Sequence, residues 1–268
     1  MSVTRKLAKL LRNPWRYAPL ALRALEQPLC YVFRNTAFFL QGQMDIHPRS
    51  RWHTPEFVEA TGGFFPKEEG ARRRICDLEP WDNTRRDMLV LLLRTLIQNE
   101  IEGDFAEVGV YRGRTAKLLH HYAPERRLHL FDTFEGFGRR SAERERSASG
   151  HAIDHAEFSD TSLALVRTNI SPVTDNVFFY KGYFPESIPE ALRRASFSFV
   201  HLDADLYEPT LEGLSFFFPR MRRGGFLVVH DYNTWPGARK AVDEYFSDKA
   251  DVPIPMPDKS GSALVLKQ

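Results

Sequence analysis

The sequence predicts a doubly wound α/β domain with a mostly parallel sheet, preceded by a basic extension. From about residue 80 onward, short apolar runs of strand length alternate with segments of helical period. The runs are apolar throughout, the pattern of strands covered on both faces. Apolar residues make up 43% of the 268-residue chain and charged residues 27%, which excludes a disordered or collagen-like chain and suits a soluble enzyme.

Charge divides the chain. Residues 1–75 hold 13 Lys/Arg against 6 Asp/Glu, while the whole chain carries only +2, so the body is acidic. The first 25 residues contain Arg5, Lys6, Lys9, Arg12, Arg16 and Arg23 and no acid, with leucines between them and Pro14 and Pro19 breaking any helix. Residues 1–80 are expected to be a basic helical arm and connector that packs on the body, covers the cleft or joins a homo-oligomer. A membrane-surface segment or transit peptide is the competing reading for residues 1–40. The run Leu29–Leu40 contains Arg34 and Asn35 and falls short of the roughly 20 apolar residues a bilayer span needs. Cys30 and Cys76 lack metal spacing and are too few for a disulfide framework, which fits a cytoplasmic protein.

Residues 81–268 form the second expected unit. Trp81-Asp82-Asn83-Thr84 offers an N-cap for a buried helix over Met88–Ile97. Strands are expected at 105–110, 128–131, 177–180, 197–202 and 226–229. Helices are expected at about 113–122, 160–170, 209–221 and 237–248. Such alternation implies right-handed crossovers and a parallel sheet. The tail, 251–257 and 262–267 around Asp258-Lys259-Ser260-Gly261, predicts a closing antiparallel hairpin at the sheet edge.

Ligands of such sheets bind beyond the carboxyl ends of the strands. Those ends are acidic here: Glu107, Asp132, Asp203 and Asp231. The first turn reads Glu107-Val-Gly109-Val-Tyr111-Arg-Gly113-Arg-Thr115, where Gly109 permits a tight turn and Gly113 lets the helix start close to a ligand. A pyrophosphate site for NAD would want G-x-G-x-x-G and would avoid an acid at Glu107. An acid there suits the cationic amino acid moiety of S-adenosylmethionine, and Asp132 is placed to accept from ribose hydroxyls. Alone, the glycine pattern equally fits a plain strand-to-helix turn. Asp203 and Asp231 end adjacent strands, so their carboxylates can converge on a cation; the bland alternative is a helix cap and an Arg partner. Asp205 suits either the cluster or a cap.

The blocks Glu107-Val-Gly-Val-Tyr-Arg-Gly113, Leu130-Phe-Asp132-Thr133-Phe-Glu-Gly136, Lys181-Gly182-Tyr-Phe184, His201-Leu-Asp203-Ala-Asp205-Leu-Tyr207-Glu-Pro-Thr210 and Gly224-Gly225…His230-Asp231-Tyr232…Pro236-Gly237 resemble the macrocin O-methyltransferase (TylF-type) family over roughly residues 85–265. The resemblance implies a class I methyltransferase, Rossmann-like fold. It implies methyl transfer from S-adenosylmethionine to a hydroxyl, often on a sugar of a natural product, with a divalent metal, usually Mg²⁺. Carried over, Glu107, Gly109, Tyr111, Gly113, Thr115, Asp132, Thr133, Gly182 and Asp203 would hold the cofactor. Asp203 and Asp231 would bind metal and act in catalysis, Asp203 as candidate base. The family commonly has two adjacent acids where this chain has His230-Asp231. His230 is a competent ligand for many divalent metals, whereas Mg²⁺ prefers oxygen.

The remaining features read as structure. His201 is expected to be a satisfied core residue and His120-His121 to be solvated. The polar segment 138–160, with Arg139, Arg140, Arg144 and Arg146 among Glu143 and Glu145, is expected to be a lid over the cleft. Its mixed signs and lack of interleaved aromatics argue against nucleic acid. The expected partner is a small hydroxylated molecule. A catechol-type acceptor would need an aromatic-lined pocket, a sugar a more polar one. A protein that keeps the fold without turnover is the third reading.

Overall fold

The computed structural model describes residues 82–170 and 174–268. The expected extension 1–80, with its arm, membrane and oligomer readings, lies outside the described residues.

Helix α1 (Asn83–Gln98) begins where Asp82 accepts the Arg85 N–H at 3.0 Å, the cap expected from the sequence. The other Asp82 oxygen accepts the Lys259 N–H at 2.9 Å, tying the helix start to the tail. Along the body follow β1 (Asp104–Val108), α2 (Arg114–Tyr122), β2 (Leu128–Asp132), α3 (Gly138–Ser149), α4 (Leu163–Ile170) and β3 (Val177–Lys181). Then come β4 (Phe197–Leu202), α5 (Tyr207–Phe217), β5 (Met221–Val229), α6 (Pro236–Phe246), β6 (Ile254–Pro255) and β7 (Ala263–Leu266).

The sheet order is β3-β2-β1-β4-β5-β7-β6. The first five strands pair in parallel, and β7 runs antiparallel to both β5 and β6, so the closing hairpin is present. Every residue of β4 is buried, which is why no period of two marks it. The order reverses between β1 and β4, the place where an open sheet leaves a crevice. Phe131, Phe197 and Phe217 pack edge-on in the core beside Val200, Leu202 and Leu214. Losing one such ring costs about 3–5 kcal/mol.

Several boundaries differ from the sequence expectation for local reasons. β1 stops at Val108 because Gly109, at φ +84°, turns the chain. α5 stops at Phe217 rather than 221, since Pro219 cannot donate to a continuing helix and a 3₁₀ turn replaces it. β5 starts at Met221 rather than 226: Gly224 at φ +83° carries it through a register irregularity, and a Cβ on Gly225 would press on the Ser198 carbonyl. The largest difference is α3, a twelve-residue helix inside the segment expected to be polar lid. Only Glu145 of that helix is buried, so it shows no apolar period. His120, expected to be solvated, is buried on α2, while His121 is exposed.

Candidate active site

The cleft lies beyond the carboxyl ends of β1, β2, β4 and β5 and has a volume of about 400 Å³. That falls within the range of small-molecule sites. Of the residues nominated from the sequence, Glu107, Gly109, Tyr111, Thr115, Asp132, Thr133, Gly182, Asp203, His230 and Asp231 all line it. Gly113 does not. It is the left-handed N-cap of α2, where a Cβ would stand 2.9 Å from Val166 Cγ1.

The half of the cleft expected to take the nucleotide is built on backbone. At Gly109 a Cβ would overlap the carbonyl oxygen of Asp203, so glycine lets β1 and β4 close together at their ends. Asp132 Oδ2 accepts the N–H groups of Val110 at 2.7 Å and Tyr111 at 2.9 Å, and Oδ1 accepts that of Phe134 at 2.5 Å. Its carboxylate thus braces the turn after β1 as well as facing the cleft. Thr133 donates to the Gly136 carbonyl, and the Gly182 N–H donates to the Asp132 carbonyl. The Tyr111 hydroxyl donates to Asp160 at 2.6 Å, and its ring meets Phe158, which meets Phe137.

Glu107 is buried to 1% exposure, and its Oε1 lies 3.0 Å from His201 Nδ1. Burial, then the nearby Asp203, pushes the Glu107 carboxyl well above its usual range. Burial pushes His201 down to about 3, so it is neutral. Glu107 Oε2 is buried without a hydrogen-bond partner among the described residues. An unpartnered buried acceptor in this turn fits the cationic end of S-adenosylmethionine.

The acidic half gathers around His230. Its Nδ1 lies 2.7 Å from Asp203 Oδ1 and 2.8 Å from Asp231 Oδ2, ion-pair distances to both carboxylates. Donor atoms of Asp203, His230 and Asp231 all lie within 4.8 Å of one another. Burial would lower the His230 pKa, but Asp203 outweighs it and raises it to about 10. Burial likewise raises Asp203, and the charge of His230 reverses this and holds it well below the carboxylate range. The three donor atoms are close enough to hold a divalent cation once His230 gives up the proton that otherwise bridges the two carboxylates. One imidazole and two carboxylates is a set that Mn²⁺ or Co²⁺ accepts more readily than Mg²⁺.

Two residues of this cluster escaped firm assignment from sequence. Asp205 is buried against Asp231, and burial followed by the Asp203 and Asp231 charges drives its carboxyl well above the usual range. The D-x-D spacing was the signal, but it also suits a helix cap. Arg85, on α1, reaches within 3.6 Å of Asp203 Oδ2, and nothing local in the sequence marks it. Tyr111, Phe134, Asp205 and Asp231 all adopt positive φ, a cluster of strain at the same end of the sheet. Asp82, Arg144, Glu208, Lys259 and Ser260 add polar groups to the cleft wall.

Solved structures share this architecture. The O-methyltransferase NovP superposes with a TM-score of 0.58 at 23% identity, covering 89% of this chain and 98% of that one. The calicheamicin methyltransferase CalS11 gives 0.56 at 20% identity, over 80% and 93%. The fold is therefore that of class I O-methyltransferases. The family model for macrocin-O-methyltransferase (TylF) matches residues 82–264, and the chain belongs to that family. It is 32% identical over 176 residues to the 8-demethyl-8-(2,3-dimethoxy-alpha-L-rhamnosyl)-tetracenomycin-C 4'-O-methyltransferase of Streptomyces olivaceus, across 60% of this chain and 64% of that protein. It is 29% identical over 164 residues to the mycinamicin III 3''-O-methyltransferase of Micromonospora griseorubida, across 57% and 64%. The matched region thus spans less than two thirds of these relatives' length. Among the described residues, no helix is long and apolar enough to cross a membrane.

Proposed function

We propose that this protein transfers the methyl group of S-adenosylmethionine to a hydroxyl of a sugar carried by a natural product, with a divalent cation at Asp203, His230 and Asp231. The observation that carries the reading is the convergence of those three donors in the same cleft as the Glu107–Gly109 turn. The names of the relatives support the sugar acceptor; the cleft wall carries both polar groups (Asp82, Arg144, Glu208, Lys259) and aromatic ones (Phe137, Phe158, Tyr183, Phe184).

Methyl transfer from a sulfonium is an in-line displacement at the methyl carbon: the acceptor oxygen, which must lose its proton, forms the new O–C bond as the C–S bond breaks and S-adenosylhomocysteine leaves. Glu107 offers its free Oε2 to the amino acid moiety, the Gly109 turn lets the backbone approach, and Asp132 and Thr133 face the ribose side. Asp203, His230 and Asp231 would hold the cation, which would supply Lewis acidity toward the acceptor oxygen. Asp203, the base nominated from the sequence, already faces His230 and Arg85. Asp205 lines the same cleft two residues on, and we assign it as the second candidate to take the proton of the acceptor hydroxyl. Helix α3 walls the cleft and limits water access.

The test is calorimetric titration with S-adenosylmethionine, with and without Mn²⁺ and Mg²⁺, followed by turnover on glycosylated and catechol acceptors. Binding of both ligands with methylation of a sugar hydroxyl is the expected result. Silence toward S-adenosylmethionine under every condition overturns the reading. Cofactor binding without turnover on any acceptor points instead to a binding protein that keeps the fold.

A further inference from the structure

Helix α3 is docked over the cleft by a carboxylate, not by an apolar face. Glu145 is its only buried residue, at 2% exposure. Glu145 Oε2 accepts the backbone N–H of Tyr207 at 2.7 Å, and Oε1 accepts the Ser149 hydroxyl at 2.5 Å. Tyr207 opens α5, whose N-cap residue Leu206 has no side-chain acceptor. Glu145 therefore supplies that cap from another helix.

The same carboxylate lies against α6. That helix also lacks a side-chain cap, and a Cβ on Gly237 would overlap Glu145 Oε1 and stand 2.6 Å from the Tyr207 nitrogen. One buried carboxylate thus sits between the N-termini of α5 and α6, where the helix dipoles favour negative charge. The loops leading into these two helices are the ones that carry the acids. Asp203–Leu206 runs into α5, and His230–Trp235 runs into α6.

The other ties of α3 are peripheral. Arg144 pairs with Glu208 at the cleft rim, Arg140 pairs with Glu186 and lies over the Tyr183 ring, Lys240 donates to the Ala148 carbonyl, and the Gly138 N–H donates to the His155 carbonyl; the ion pairs are largely exposed, where such bonds are worth little. The buried, charge-assisted contact is the strong one.

We propose that Glu145 is a positioning residue: by clasping the starts of α5 and α6 it sets the spacing of the two acid-bearing loops, so that docking of α3 and assembly of the Asp203–Asp205–His230–Asp231 cluster are one event. Only the cation part of this inference rests on the proposed function.

The experiment compares the full chain with Glu145→Ala, Glu145→Gln and Gly237→Ala. Hydrogen exchange is read without ligand over 138–149, 203–210 and 231–238, and affinities are read for Mn²⁺ and S-adenosylhomocysteine. Glu145→Ala should speed exchange in all three segments together. It should weaken Mn²⁺ by about tenfold or more while S-adenosylhomocysteine changes by less than about threefold, the size of effect that outer groups exert on a metal site. Glu145→Gln keeps an oxygen for the Tyr207 N–H and should restore most of both. Gly237→Ala should displace the carboxylate and reproduce Glu145→Ala, which covers the case where that variant fails to fold. Faster exchange confined to 138–149 with Mn²⁺ affinity unchanged overturns the proposal, as does wild-type exchange in Gly237→Ala. If the wild-type protein itself binds no Mn²⁺, the cation assignment fails, and the exchange pattern still decides the clasp.

Discussion

Glu107 and His201 are register partners on adjacent strands β1 and β4, and both are buried, with Oε1 and Nδ1 3.0 Å apart. His201 is neutral because burial lowers its pKa to about 3, and the hydrogen bond it shares through Nδ1 occupies Oε1 and leaves Oε2 of Glu107 without a side-chain partner. The pair adjoins the His230 cluster: the two imidazole rings lie 6.2 Å apart, and the Asp203 charge acts on both.

Glu107→Gln should therefore gain stability while losing function. The folded-state pKa of Glu107 is raised above its unfolded value, so the folded wild type binds a proton that the unfolded chain releases. Its contribution to stability declines as pH rises from about 4.5 through the raised folded pKa. The variant should match wild type near pH 4 and exceed it at pH 8 in urea unfolding. Its affinity for S-adenosylmethionine should fall by about tenfold or more, the loss of a charged hydrogen bond. A variant less stable than wild type at pH 8 would show that Glu107 is ionised and satisfied.

Cation binding should expel a proton. Without a cation His230 is protonated at neutral pH, since Asp203 raises its pKa to about 10. Ligation requires the neutral ring, so about one proton should leave at pH 7–8, and affinity should fall up to about tenfold per unit drop in pH. Titrating Mn²⁺ in buffers of different ionisation enthalpy measures this directly. In the cation-free protein the raised pKa stabilises the fold fully below about pH 6.5 and is lost as pH rises through about 10.

His230→Asp should move the metal preference toward Mg²⁺. The substitution makes an all-oxygen donor set, which Mg²⁺ favours, while the wild-type imidazole favours Mn²⁺ or Co²⁺. Competition between Mn²⁺ and Mg²⁺ in the two proteins should show a change of about tenfold or more in their affinity ratio. An unchanged ratio would remove His230 from the ligand set.

The two acids of the D-x-D block should separate in kinetics. Asp205→Asn is expected to lower kcat by about 10²–10⁴ with Mn²⁺ and cofactor affinity nearly unchanged. Asp203→Asn should weaken Mn²⁺ first. Equal effects of both on cation affinity would make Asp205 a ligand and not the proton acceptor.

Glycines with the same backbone conformation should differ in cost. Gly109 and Gly150 have φ of +84° and +76°. A Cβ on Gly150 meets nothing within 4 Å, so Gly150→Ala should cost about 1 kcal/mol from strain alone. Gly109→Ala adds an overlap with the Asp203 carbonyl and should cost about 3 kcal/mol or more in denaturant unfolding.

The sheet was legible in the sequence because buried parallel strands print as apolar runs, and the acids that follow them stand out by contrast. Glu107, Asp132, Asp203 and Asp231 all reach the cleft for that reason. Helix α3 was not legible, since a helix held by one buried carboxylate and exposed ion pairs leaves no apolar stripe. His120 misled because its neighbour His121 is exposed while it is buried.

By itself the sequence determined the order of the strands and of every helix but α3, the closing hairpin, the glycine turn and the acids at the strand ends. Each of these is written in local periodicity or in a residue with restricted backbone freedom. Only the tertiary structure decided that Asp205 meets Asp231, that Arg85 reaches Asp203, and that Glu145 lies between two helix starts. Those contacts join segments far apart in the chain, and their geometry depends on how the crossovers fold back over the sheet.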